Sequence, residues 1–175
     1  MMRRTPERCS VPAVHRVPSV NGRNAAGQIG AETMGHINMG RAALGAIVAA
    51  IILFVAGGLI HGAILGSEWE AWQKAGHLPL MLSRETGMVL WAIVSLVNGV
   101  VALWIYVGIR PRFGAGAKTA ATAGFLLWLA ASFGPALGQV ALGNVPTRII
   151  VVGCVGFLLA YVVAAVAGAY FYKEE

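Results

Sequence analysis

Four polar side chains in apolar surroundings are the first candidates for chemistry: His61, Asn98, Gln139 and Cys154. An imidazole can ligate a metal or move a proton, a thiol can ligate, and an amide can hold a ligand by paired hydrogen bonds. Spacing narrows the list. His61 is the only histidine in a long apolar run, whereas bis-histidine haem ligation needs a pair. Zinc needs roughly three or four ligands, and only His61, His77, Glu85 and Glu68 qualify by type. Cys9 and Cys154 lack metal-ligand spacing and lie in unlike surroundings, so no disulfide is expected between them. No P-loop, glycine fingerprint or nucleophile elbow occurs, and no carboxylate falls inside an apolar run. These residues predict no enzyme, no catalytic residue, no metal and no cofactor.

The elements that position them are read from charge. Ala42–Ile64, Met88–Ile109, Thr119–Leu142 and Ile149–Tyr172 contain no Asp, Glu, Lys or Arg. Each reaches the ~20 apolar residues that a bilayer-crossing helix requires. Only 11% of the 175 residues are charged, against ~25% in soluble domains. The expected fold is all-α, a four-transmembrane-helix bundle with a short outer interfacial helix. Residues 40–175 form that domain. Residues 1–39, with Pro6, Pro12 and Pro18 and no sustained apolar period, are expected to be a disordered basic cytoplasmic tail. Part of it is also readable as an over-extended start, with Met34 or Met39 as the true first residue. The Arg3–Arg4 pair is not followed by the short apolar core of an export signal.

The net charge of +6 does not point to nucleic acid, because the basic residues sit in the tail and at span ends. The tail, the loop Arg110–Lys118 and the C-terminus share one side and hold ten Lys and Arg. The loops Leu65–Gly87 and Gly143–Arg148 share the other and hold three. That asymmetry predicts both termini in the cytoplasm. Ser67-Glu68-Trp69-Glu70 reads as a capping box opening a helix to about Ala75, stopped by Gly76 and Pro79. Such a helix either lies along the outer membrane surface, its indoles in the headgroup layer, or covers an outward pocket.

Small residues four apart predict where the spans approach: Gly58, Gly62 and Gly66 on the first, Gly156, Ala160, Ala164 and Gly168 on the fourth. Gly134 and Gly138 are similarly spaced on the third, with Pro135 expected to bend it. These seams serve either the bundle itself or a homodimer. A shift of 77 positions aligns Arg41 with Lys118 and Gly57 with Gly134, a hint of a parallel repeat. Depth sorts the polar groups. Asn98 falls at mid-span, level with Ser132. His61 falls about seven residues, ~11 Å, further out, level with Gln139, with Gly153 and Cys154, and with Trp91. Each group is expected either to bond within a helix interface or to line a polar pocket or path.

The run Gly57-Gly58-Leu59-Ile60-His61-Gly62-Ala63-Ile64-Leu65-Gly66-Ser67-Glu68-Trp69 resembles the first helix and outer loop of small, uncharacterised bacterial four-helix membrane proteins filed as domains of unknown function. It departs from them at Ile60-His61, where those proteins often carry an aromatic pair. The resemblance implies a bacterial cytoplasmic (inner) membrane location and a shared architecture, and no activity. The expected role is a structural or accessory membrane component. The alternative is an oligomeric small-solute transporter or channel with Asn98 or the His61 level on its path. The expected partners are the lipid bilayer and a second copy or another membrane protein.

Overall fold

A computed structural model describes residues 38–77 and 83–172 of the chain. Among these, all regular structure is helical. Helix α1 spans Met39–Ile64, α2 Gly66–Trp72, α3 Arg84–Phe113, α4 Ala117–Leu142 and α5 Thr147–Phe171. Four of them, all but α2, are long and apolar enough to cross a membrane, and the chain is built as a multi-pass membrane protein. The tail expected over 1–39 lies outside the described residues except for Asn38 and Met39. Asn38 caps α1, its side chain accepting from the Arg41 backbone N–H at 3.1 Å.

Local chemistry explains most boundaries. Ser83 caps α3 by accepting from the Thr86 N–H, and Glu85 in the first turn complements the helix dipole. Gly143 takes a positive φ of 65° and ends α4, as glycine at a C-terminus does, and Gly76, φ 80°, breaks the wide turn Gln73–His77 that follows α2. Two spans widen into π-type turns, α1 over Gly58–Ile64 and α4 over Leu129–Phe133. In α4 the wide turn precedes Pro135, which has no N–H to return to the preceding turn. The two wide segments do not coincide under the 77-residue shift.

Two local expectations need correction. Ser67 does not cap α2, because the helix already begins at Gly66 and no side chain caps it. The basic turn also starts later than Arg110. Helix α3 continues through Pro111 to Phe113 and breaks at Gly114, whose φ is 82°.

The spans form a ring in which α1 meets α3 and α5, α4 meets α3 and α5, and α3 touches α5 across the middle. Ala46, Ala49, Ala102, Ala120, Ala123, Ala164 and Ala165 are buried between them. Ile47, Ile51 and Val55 on α1, and Val151, Val155, Leu159 and Val163 on α5, face outward. Small residues inside and large aliphatic ones outside is the arrangement that lipid favours, since close packing rather than burial holds such helices together.

The closest approaches are made at single glycines. A Cβ on Gly45 would lie 2.5 Å from the Gly168 carbonyl oxygen, one on Gly99 2.5 Å from that of Ala46, and one on Gly124 2.5 Å from that of Tyr161. On α5 the expected seam residues Ala160, Ala164 and Gly168 are all buried, and a Cβ on Gly156 would meet Ile60 at 2.8 Å. On α1 the seam lies elsewhere than expected. A Cβ on Gly58 or Gly62 would have open space within 4 Å, and one on Gly66 would meet only the His61 carbonyl at 3.9 Å. The packed stripe is instead Gly45, Ala49, Leu53 and Gly57. Gly58 is one residue past Gly57, about 100° round the helix, and so presents to the outside.

Candidate functional site

The bundle is tight toward the basic end, where the turn at Gly114–Gly116 lies, and loose toward the end that carries α2. Helix α3 packs on the Ala117–Trp128 part of α4, but the two part beyond Trp128, where α4 widens and meets Pro135. The Trp91 indole wedges in at the same level. A Cβ on Gly57 would lie 2.5 Å from Trp91 Nε1, so only glycine leaves room for it. The result is a slot between α3 and the half of α4 nearer α2.

Two adjoining cavities occupy the slot. The upper one, about 320 Å³, is lined by His61, Gln139 and Cys154 together with Trp69, Trp91 and Phe157. The lower, about 180 Å³, is lined by Asn98, Ser95, Leu53 and Tyr161. They share Trp91, Ala131, Ser132 and Phe157 as common wall. The structure therefore brings His61, Gln139 and Cys154 to one level. Asn98 stands one level deeper and joins them through Ser132.

His61 is the most constrained member. Its Nδ1 accepts a hydrogen bond from Trp69 Nε1 at 3.1 Å. In the neutral ring the proton must then sit on Nε2. A Cβ on Gly153 would lie 3.3 Å from His61 Cε1 and 3.8 Å from Nε2, so the bare glycine of α5 leaves space beside the donating edge. Three rings frame the imidazole: Trp69 at 5.9 Å, Trp91 edge-on at 6.0 Å and Phe157 at 5.6 Å between centroids. Trp69 thus turns inward to His61 rather than out to a headgroup layer, and α2 covers the cavity.

The cover is anchored from both sides. Leu65 is fully buried against Ile60 and Ile149. Glu68 on α2 pairs with Arg148 at the start of α5, 2.8 Å apart. Trp128 Nε1 donates to the Cys154 carbonyl at 2.9 Å and ties α4 to α5. Ser95 donates to the Trp91 carbonyl at 2.9 Å. The side chains of Asn98, Ser132 and Gln139 make no hydrogen bond among the described residues. No Asp, Glu, Lys or Arg lines either cavity.

The remaining candidates for a metal do not assemble. Glu68 is engaged with Arg148, Glu85 does not line either cavity, and the His77 side chain lies outside what is described. Among the described residues no three His, Cys, Asp or Glu side chains cluster. Beyond the His61–Trp69–Trp91 partition, a second groove of about 870 Å³ runs over Gly57, Gly58, Gly62 and Gly87. Gly58 and Gly62, two of the α1 glycines expected to form a seam, line this open groove.

Counting depth along the sequence puts Trp91 at the His61 level, but it misses the wedging of Trp91 against Gly57, the Phe157 ring and the Trp69 bond to His61. These side chains come from three helices, and no spacing within one helix shows the contacts. The only local signal was Gly57, whose missing side chain makes the place for Trp91. Compared with protein-family models, with curated proteins and with solved structures, the chain matches none of them.

Proposed function

We propose that this chain is a non-catalytic accessory protein of the bacterial inner membrane, with both termini in the cytoplasm, which binds a partner or a membrane-borne molecule rather than conducting solutes. The supporting observation is the contrast between the two halves of the bundle. The polar side chains cluster in the outer half, while below Asn98 the helices meet backbone to backbone at Gly99–Ala46, Gly124–Tyr161 and Gly45–Gly168. A conduit needs polar groups or a constriction along its full length. This cavity is blind toward the basic end. The basic excess on that end supports the cytoplasmic orientation.

The conducting alternative draws on Asn98, whose amide stands near mid-span without a hydrogen-bond partner among the described residues, a costly placement that polar pathways also use. Reconstitution separates the two. Proteoliposomes of the full chain are expected to show no more ion or small-solute flux than empty liposomes, and mild-detergent extraction is expected to recover a stoichiometric partner or lipid-soluble molecule. Flux above background that Asn98→Leu abolishes would overturn the accessory reading.

A further inference from the structure

We propose that the paired cavities hold the head group of a lipid-soluble quinone. The proposal rests on the accessory reading and names the molecule class it would bind. The argument starts from access. The slot opens sideways between α3 and the outer half of α4, and α2 covers its end through Trp69 and the Glu68–Arg148 pair. A molecule dissolved in the bilayer can enter this way with its tail remaining in lipid.

Chemistry narrows the occupant further. A phospholipid head would bring charge into a cavity with no charged side chain to meet it, which is costly in a low-dielectric setting. An acyl chain would leave His61 Nε2–H, the Gln139 and Asn98 amides and the Ser132 hydroxyl unanswered. Water could answer the donors but makes no use of the aromatic walls. A neutral flat ring with carbonyl acceptors satisfies all of these conditions. The ring packs against the Trp91–Phe157 pair, where offset or edge-on ring contacts are favourable. One carbonyl accepts from His61 Nε2–H or Gln139 at the upper level. The other accepts from Ser132 or Asn98 at the lower one. The upper cavity alone is within the size range of small-molecule sites. The Trp69 bond to Nδ1 acquires a role here, since it fixes the tautomer that presents a donor to the slot.

The test uses the full chain in nanodiscs of quinone-free phospholipid, titrated with decylubiquinone and followed by tryptophan fluorescence. Quinones quench indole, and Trp91 is on the cavity wall. The expected result is a saturable quenching phase, most of which Trp91→Phe removes. Gln139→Leu and Asn98→Leu should each shift its midpoint about tenfold to higher quinone. Gln139 is exposed, so Gln139→Leu does not disturb the packed core, and retained helical circular dichroism verifies this. Quenching that rises linearly with quinone, equally in the parent and both leucine variants, reports partitioning alone and overturns the assignment. So does a saturable phase that both leucine variants leave unmoved. Neither outcome touches the accessory reading, which falls only to solute flux.

Discussion

At the scale of single residues, His61 and Trp69 carry the site. They are eight positions apart and belong to different helices, yet one hydrogen bond fixes the ring, its tautomer and the cover over the cavity. Trp69→Phe keeps most of the ring contact and deletes the donor, leaving a partly buried nitrogen unpaired. The expected loss is about 1 kcal/mol of stability. It would be read as a lower unfolding midpoint in detergent, and an unchanged midpoint would mean that the bond contributes nothing. The level shared by His61, Gln139 and Cys154 was legible from the sequence, because helical rise is regular and depth can be counted from each span centre. The side toward which each group turns was not legible. Rotation about a helix axis is set by neighbours: the depth of Trp91 could be counted, but its turn toward Gly57 and the entry of Phe157 into the site could not.

At the scale of elements, the contrast between Gly57 and Gly58 is the informative one. Both belong to a glycine-rich run, but one accepts the Trp91 indole and the other faces open space. Four-residue spacing identified small residues and could not choose between stripes about 100° apart. On α5 the same pattern succeeded because Ala160, Ala164 and Gly168 are buried facing α1 and α4, and no competing stripe of small residues is as long. Two substitutions test the packing. Gly99→Val drives a side chain into the Ala46 and Ala50 backbone and should cost about 1–3 kcal/mol, as overpacking does. Gly58→Ala should be neutral or stabilising by less than about 1 kcal/mol, through helix propensity. Denaturant titration in mixed micelles measures both, and a reversed order would contradict the seam. The Glu68–Arg148 pair belongs at this scale as well. Arg148 is largely exposed, so Arg148→Ala should cost less than about 1 kcal/mol. A larger loss in the same titration would mean that the α2 cover is coupled to the whole bundle.

At the scale of the whole molecule, four spans with small residues inside and branched aliphatics outside make lipid the surrounding solvent. Charge-free runs were enough to read this, since a bilayer core excludes charge and sets span length together. The uneven bundle, closed at the basic end and open at the other, was not readable. It arises from α4 widening at Leu129–Phe133 and from a wedge supplied by another helix. The central claim is that the cavity lies in the α2-side half of the bundle, open laterally beside the α2 cover, and is blind toward the basic end. The most direct measurement places one cysteine at the cavity, Gln139→Cys in a Cys9→Ser, Cys154→Ala background, and treats membranes with an impermeant maleimide. Spheroplasts, which expose the α2 end in the proposed orientation, should label. Inverted vesicles, which expose the basic end, should not, and labelling in inverted vesicles would contradict the account.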